Sequence, residues 1–340
     1  MIKGQKPVII WLFTGCFLVF LMVLVGGITR LTNSGLSMTD WHLVTEILPP
    51  LNHTAWEAAF EEYKKFPEYQ KINIHYNFTL EDYQSIYFWE WLHRLLGRLL
   101  GVVFIIPFVY FLIRKKLTKE TLKNTYILLV LGGFQGFLGW YMVKSGLIDR
   151  PDVSHYRLAA HLTTAFITFA FTFWVALSLL YPKKEINNFK IRNLLRFSLI
   201  ILLLQIIWGA FVAGLDAGLI HNFWPMMSEG KLIHETVYIE KSPIWRNFVE
   251  GKSGVQFVHR YLAYLVVGLI VFIWFKAKNL RLTTSQRYGI NALIILVLFQ
   301  FTLGVFTLLL AVPLWLGILH QVGAFFLLAA MTFSLHRFSR

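Results

Sequence analysis

Long apolar segments separated by polar connectors dominate the pattern of this chain. Eight such segments can be delimited, at residues 8–29, 85–113, 124–143, 154–181, 193–213, 254–275, 288–311 and 314–335. A helix that crosses a bilayer needs about 20 consecutive, mainly apolar residues, and each segment is long enough. The pattern therefore predicts an all-α integral membrane protein with eight transmembrane helices.

The composition supports a membrane location. Of the 340 residues, 56% are hydrophobic, and the mean hydropathy is +0.58. A soluble domain with this much apolar surface would aggregate. The single cysteine, Cys16, lies in the first apolar segment, which excludes an intramolecular disulfide, a thiolate iron–sulfur cluster and a multi-cysteine zinc site.

The formal net charge is +14, but no basic stretch is interleaved with aromatic residues on a polar segment, so we expect no nucleic-acid binding. Lysine and arginine instead mark the connectors, with eighteen on the side of both termini and eleven on the other side. The positive-inside rule then predicts cytoplasmic termini and two long outward loops, 30–84 and 214–253. The first segment is too long for a cleaved signal, which favours a bacterial inner membrane.

An internal repeat divides the chain. The matched positions occur in the same order in both halves: Gly26, Gly35, Leu36 and Trp41 with Gly209, Gly218, Leu219 and Trp224; His93-Arg94 with His259-Arg260; Gln135, Leu138 and Gly139 with Gln300, Leu303 and Gly304; His161, Ala165 and Phe166 with His320, Ala324 and Phe325. Each repeat has four helices, so both run in the same direction. We predict two pseudo-symmetric four-helix bundles, residues 1–182 and 183–340.

Four histidines fall inside predicted membrane segments, namely His93, His161, His259 and His320. Each lies within the first one or two turns of its predicted helix, so all four are expected at similar depth near the outer face. Two per bundle on non-adjacent helices suit axial ligation of a haem. Alternatives are histidines that only satisfy polar neighbours, or zinc or copper sites, for which supporting carboxylate or thiolate ligands are lacking. The other seven histidines are expected to face solvent.

The two halves differ three residues before the first histidine of each pair. Glu90 precedes His93 at this spacing, whereas Gln256 precedes His259. Residues three apart share a helix face, so the carboxylate is expected beside the first haem, where it could transfer protons or stabilise a developing cation. Orienting His93, or pairing with Arg94 or Arg98, is the structural alternative. The asymmetry suggests that the N-terminal half reacts and the C-terminal half serves it.

Intramembrane arginines are candidates for binding haem propionates. Arg94 and Arg260 each follow a candidate haem histidine, and a guanidinium can hold a carboxylate through two hydrogen bonds. The alternative is that these side chains extend toward the lipid head groups.

Several long motifs resemble the haem A synthase family across almost the whole chain. They include Gly27–Thr32 with Ser34–Met38, Trp89–Arg94 with Gly97-Arg98, Phe134–Val143, Tyr156–His161, Gly209–Gly218, Gln256–Arg260 and His320-Gln321. The long first outer loop, with Asp40-Trp41-His42 and Pro49-Pro50, is similar to the proteobacterial and mitochondrial branch.

The resemblance implies oxidation of the C8 methyl of haem O to the formyl group of haem A, for cytochrome c oxidase. It implies haem b as cofactor on His259 and His320, substrate haem flanked by His93 and His161, and Glu90 as the reactive carboxylate. It further implies haem O synthase as substrate donor and the cytochrome c oxidase assembly as acceptor. Some members of the family have a pair of cysteines in an outer loop, and this chain lacks it. The sequence therefore does not indicate an electron acceptor. A homo-oligomer is compatible with the sequence, which does not specify one.

Two other functions fit parts of the pattern. A two-haem b-type electron carrier would need one haem near each membrane face, which four histidines at one depth do not provide. A transporter with symmetric halves would need broken helices and polar groups at the midplane, and the sequence indicates neither.

Overall fold

The computed structural model describes residues 4–39, 47–147, 153–182 and 188–339. Eight helices within these ranges are long and apolar enough to cross a membrane. We label them α1 (Lys6–Leu31), α2 (Leu80–Ile113), α3 (Lys119–Gly146), α4 (His155–Leu180), α5 (Phe189–Gly214), α6 (Lys252–Lys278), α7 (Thr284–Leu309) and α8 (Leu314–Ser339). No strand occurs in the described ranges, and the predicted all-α membrane fold with eight spans is confirmed.

Most helices extend beyond the apolar segments because polar residues define their ends. Helix α2 begins at Leu80 because Thr79 and Asp82 form a reciprocal capping box at its start. Helix α7 begins in the same way, with Thr283 and Gln286. A consequence is that His93 lies thirteen residues after the start of α2. The expectation that it lies in the first two turns is therefore wrong, whereas His161, His259 and His320 follow their helix starts by six or seven residues.

Each half is a ring of four helices. In the first half α1 packs on α2 and α4, and α3 packs on α4; in the second half α5 packs on α6 and α8, and α7 packs on α8. The halves meet through α1 and α4 on one side and α5 and α8 on the other. The matched contacts agree with the predicted repeat, while the division at residue 182 stays a prediction.

The chain has the same backbone conformation just after the C-terminal ends of α1 and α5. Asn33 and Asp216, which are equivalent in the repeat, both adopt a left-handed backbone conformation, with φ of 50° and 51°. This conformation suits asparagine and aspartate better than other non-glycine residues. Arg30 joins the two ends, since its Nη2 donates to the Ala213 carbonyl at 2.7 Å and to Asp216 at 3.0 Å.

Apolar packing fills the molecule unevenly. A large core lies between the halves, where Phe166, Leu195, Ile270 and Phe325 are buried. A second core fills the first half toward the ends of α2 and α4. Its main members are Val8, Leu12, Phe108, Phe111, Leu128 and Val175. Phe108 follows His93 by fifteen residues, or about 22 Å along a helix. The first half is therefore packed at one end and carries its histidines toward the other.

The described parts of both long loops contain short helices. The first loop has helices His53–Tyr63 and Pro67–Lys71, and Phe60 and Tyr63 pack there on Tyr83 of α2. The second loop has short turns between Ala217 and Glu250, held by the fully buried Asn247. The Asn247 amide nitrogen donates to the carbonyls of Tyr238, Lys241 and Ile244. Its oxygen accepts from the Lys241 backbone N–H at 2.7 Å.

Candidate functional site

The histidine pair of the second half has a separation suited to a metal between the rings. His259 on α6 and His320 on α8 have ring centroids 6.4 Å apart, with planes at 80°. With a metal–nitrogen bond of about 2.0–2.1 Å on each side, two imidazoles on opposite sides of one metal have ring centres roughly 6 Å apart. Both rings are enclosed by helices of one bundle, so the pair fits the axial positions of a haem iron.

In the first half, the His93 ring lies against Gly26 of α1 and the His161 ring lies against Gly139 of α3, so both rings face helices of the first bundle. They come from α2 and α4, the helices equivalent to α6 and α8. The structure thus brings the four predicted histidines together as two pairs, one in each bundle.

Each of the four histidines rests on a glycine of a neighbouring helix. A Cβ atom built on the glycine would approach the ring to 3.4 Å for Gly26 and His93, 3.4 Å for Gly139 and His161, 3.1 Å for Gly209 and His259, and 2.9 Å for Gly304 and His320. At Gly304 an added methyl group would force the histidine ring to shift, and at Gly209 the contact would be tight, whereas at Gly26 and Gly139 it would be an ordinary contact. All four glycines belong to the sequence repeat, but their spacing alone does not show this steric role.

Glutamines hold the second histidine of each pair. The Gln135 side chain donates to the His161 carbonyl at 3.0 Å, and Gln300 donates to the His320 carbonyl at 2.9 Å. Gln300 also lies 3.1 Å from His320 Nδ1, whereas within the described residues the buried Nδ1 of His161 has no partner. Partners of this kind fix the ring orientation of a ligand histidine, so the His320 ring is more firmly held than the His161 ring.

Glu90 is buried and accepts four hydrogen bonds. Its Oε2 accepts from the Ser37 hydroxyl at 2.7 Å and the Met38 backbone N–H at 2.8 Å. Its Oε1 accepts from Arg94 Nη2 at 2.6 Å and Nε at 3.1 Å. Two charge-assisted bonds from one guanidinium and two neutral bonds fix the position and orientation of this carboxyl group. The structural alternative, pairing with Arg94, is therefore present in the molecule.

Gln256 fills the same place in the second half without a charge. Its side-chain nitrogen donates to the carbonyl of Ala217 at 2.9 Å and to that of Ile220. In both halves this α2 or α6 residue thus ties down the chain that follows α1 or α5. The difference between the halves is the negative charge, with Arg94 beside it.

Arg260 repeats the loop contact of Arg94. Arg94 Nη2 donates to the Met38 carbonyl at 3.0 Å, and Arg260 Nη2 donates to the equivalent His221 carbonyl at 2.7 Å. Arg260 also binds the carbonyls of Phe223 and Met226. Its Nε is buried and has no partner among the described residues, which leaves one donor for an anionic group.

The remaining histidines differ from the expectation that all face solvent. His336 is fully buried, with Nε2 3.2 Å from the Ser178 hydroxyl and its ring against Trp174. The prediction is wrong there because α8 continues to Ser339 and packs its last turn on α4. His155 is partly buried, with Nε2 2.9 Å from the Val249 carbonyl. His42, with Asp40 and Trp41, lies outside the described residues.

His221 and His234 form a polar cluster over the start of α6. Their ring centroids are 4.6 Å apart, and His221 Nε2 lies 2.8 Å from the Ser253 hydroxyl. Ser253 donates onward to Glu240. Burial, with the nearby charges of His234 and Arg260, lowers the pKa of His221. Both residues are partly buried, so the expectation of solvent-facing side chains is wrong for them also.

The fold and the site together define a multi-pass membrane protein with two histidine pairs suited to haem. A family profile described as cytochrome oxidase assembly protein matches residues 9–332. The chain is 65% identical to a haem A synthase of Flavobacterium psychrophilum, over 99% of this chain and 100% of the relative. It is 43% identical to that of Nitrosospira multiformis, over 99% and 94%. The chain belongs to the family of cytochrome oxidase assembly proteins, which confirms the resemblance seen in the sequence.

Proposed function

We propose that this protein is a haem A synthase, an oxidoreductase that converts the C8 methyl group of haem O to the formyl group of haem A. The single observation that carries the proposal is the pairing of four partly buried histidines in two bundles, with an acid beside only one pair. The similarity to haem A synthases over the full chain supports the same activity.

The second half is proposed to hold haem b as cofactor. The 6.4 Å ring separation of His259 and His320 suits axial ligation. A bound haem b would supply a one-electron redox centre. The protein's own contribution is to hold the two rings with Gly209, Gly304 and Gln300, and to exclude water with the folded second loop. Arg260, with its unpartnered Nε, is the proposed partner of a propionate.

The first half is proposed to hold haem O, flanked by His93 and His161. Each hydroxylation of the methyl group adds one oxygen from water and releases two electrons and two protons. Two such steps give a geminal diol, which loses water to become the formyl group. Electrons leave in both steps, so the reaction requires an electron acceptor.

Glu90 is the proposed catalytic carboxylate. Four donors hold it in place, and it lies one helical turn from His93. A fixed negative charge in a site shielded from water stabilises positive charge that develops on the oxidised methyl carbon. Arg94 keeps this charge in place and is the proposed propionate partner on the substrate side.

The proposed location is the bacterial inner membrane, with both termini cytoplasmic and both haem sites toward the outer face. The proposed substrate donor is haem O synthase, and the product goes to the assembly of cytochrome c oxidase. The charge asymmetry of the connectors supports this orientation.

The test is to express the protein together with a haem O synthase and to identify the extracted haems. We expect haem A from the wild type, none from Glu90→Gln, and loss of the bound cofactor haem from His259→Ala and His320→Ala. His75→Ala, an exposed loop variant, is the control. Bound haem that is never converted to the formyl form would favour a b-type electron carrier instead. Full haem content in both histidine variants would contradict the cofactor site.

A further inference from the structure

The two bundles differ in how tightly their second and third helices close. In the second half α6 and α7 are in contact toward both ends: Trp274 Nε1 donates to Asn291 at 3.3 Å, and the rings of Tyr264 and Phe301 are 5.4 Å apart. In the first half the Phe108–Tyr126 ring pair, 5.6 Å apart, joins α2 to α3. Phe108 and Tyr126 occupy the positions of Trp274 and Asn291 in the repeat.

The second closing contact of the α6–α7 pair has no counterpart between α2 and α3. By the same register, Tyr264 corresponds to Arg98 and Phe301 corresponds to Gly136. An aromatic pair therefore closes the second bundle, and a glycine lies opposite an arginine in the first. Helices α2 and α3 accordingly touch far less than α6 and α7 do.

We call the gap between α2 and α3 the seam. Beyond Tyr126 the α3 side of this gap consists of the glycines Gly133 and Gly136. Tyr126, Gly133 and Gly136 follow one another at helical spacing on the side that faces α2. A Cβ atom built on Gly133 or Gly136 would have no neighbour within 4 Å. Both glycines are exposed, so the seam has open space where the second bundle has Leu298 and Phe301.

The seam adjoins the histidine pair of the first half. Gly136 precedes, by one helical turn, Gly139, on which the His161 ring rests. Two buried atoms beside this point, His161 Nδ1 and Gln135 Oε1, have no partner among the described residues. In the second half the matching Nδ1 of His320 is engaged by Gln300. In the second half His259 Nδ1 and Gln300 Oε1 likewise have no partner among the described residues, so it is the open space between α2 and α3 that distinguishes the first half.

We propose that the seam between α2 and α3 is a lateral passage through which the haem substrate enters from the bilayer and the product leaves. This rests on the proposed function. A haem is flat and largely apolar, so it partitions into lipid and can approach the bundle from the side. A substrate must exchange in every turnover, whereas a resident cofactor must not. The open seam lets the substrate haem exchange, and the Tyr264–Phe301 contact retains the cofactor haem in the second half.

The test fills the seam with the residue found in the closed half. Gly136→Phe copies Phe301, and Ile127→Phe, at an exposed position on the opposite side of α3 from Gly136, is the control. Each protein, carrying its cofactor haem, is mixed with vesicles that contain haem O. Uptake of a second haem is followed by difference spectroscopy, and formyl-haem is measured after extraction. We expect Gly136→Phe to lose at least tenfold in uptake and product while keeping the cofactor haem, and Ile127→Phe to match the wild type.

A reciprocal variant keeps the proposal testable if Gly136→Phe fails to fold. Phe301→Gly opens the second bundle, and we expect its bound haem to exchange with added ⁵⁷Fe-haem b at least tenfold faster than in the wild type. Wild-type uptake in Gly136→Phe, or unchanged exchange in Phe301→Gly, would overturn the passage alone. A wild-type protein that takes up no second haem and makes no formyl-haem would overturn the proposed function, and the role of the seam with it.

Discussion

Phe166 and Phe325 occupy equivalent positions in the two repeats, and their rings meet edge to face with centroids 5.7 Å apart and planes at 72°. Equivalent residues contact each other where a two-fold relation brings the same surface of both partners together. Both side chains are almost fully buried in the large core between the halves. The boundary between the two histidine-bearing bundles thus lies within the large buried core.

The glycine beneath each histidine gives a direct test of ring placement. In Gly304→Ala the new methyl group would lie 2.9 Å from His320 Cε1, so the ring must move away from its present position. We expect roughly tenfold weaker retention of the cofactor haem, in the range typical of changes behind a metal ligand, and a shifted absorption band. Gly268→Ala on α6, where nothing lies within 4 Å, is the control and should retain its haem. Equal retention in both variants would contradict the steric role.

Variants of the buried Glu90–Arg94 pair can distinguish a catalytic role of Glu90 from a role in stability. Glu90→Gln leaves Arg94 buried without its anion, which costs about 3–5 kcal/mol for a buried pair. The double variant Glu90→Gln with Arg94→Leu removes both charges. We expect its thermal stability to recover toward the wild type while formyl-haem production stays absent. If production recovers with stability, Glu90 serves only to hold the loop.

The second outer loop should respond to acid through His221. Its pKa is lowered from the ordinary histidine value of 6.5, chiefly by burial, with His234 and Arg260 acting in the same direction and Glu240 against it. The folded loop thus favours neutral His221, and this contribution to stability is lost as the pH falls through about 6.5 and below. We expect protease cleavage of the loop to increase over that range in the wild type. In His221→Gln this increase should be smaller, and an identical pH profile would exclude His221 as the cause.

Asn247 is expected to be the most sensitive position in the second loop. Asn247→Ala would leave three buried carbonyls without their donor, at roughly 1–3 kcal/mol for each group left unsatisfied. The loop should become susceptible to proteolysis at neutral pH, while the membrane helices remain folded. Glu229→Gln, an exposed change in the same loop, should leave the cleavage pattern unaltered. An intact loop in Asn247→Ala would show that these bonds are not needed.

Much of the fold was predictable because the bilayer imposes a simple requirement on sequence. The eight apolar segments correspond to the eight helices, and the repeat located the histidines and the glycines beneath them. The errors lie where polar residues continue a helix. His336 was expected in solvent because it lies at the terminus, just beyond the last apolar segment, yet it is fully buried at the end of α8. Similarly, the early start of α2 comes from a local cap rather than from hydrophobicity.

The contacts of Glu90 could not be predicted from spacing on one helix. Helical periodicity indicated that it shares a face with His93, but its partners Ser37 and Met38 lie more than fifty residues away in the chain. Such contacts depend on how the end of α1 meets α2. The same applies to the seam between α2 and α3, since the sequence shows the glycines but not the distance between the helices.

Gln256, the equivalent of Glu90 in the second half, shows what a residue at this position contributes without a charge. It ties the chain after α5 to α6 with an uncharged amide, in the same place where Glu90 ties the chain after α1 to α2. Holding a loop at this position therefore requires no ion. Glu90 and Arg94 place a buried ion pair where an uncharged residue would hold the loop. The negative charge of Glu90 can therefore act in chemistry at the proposed substrate haem.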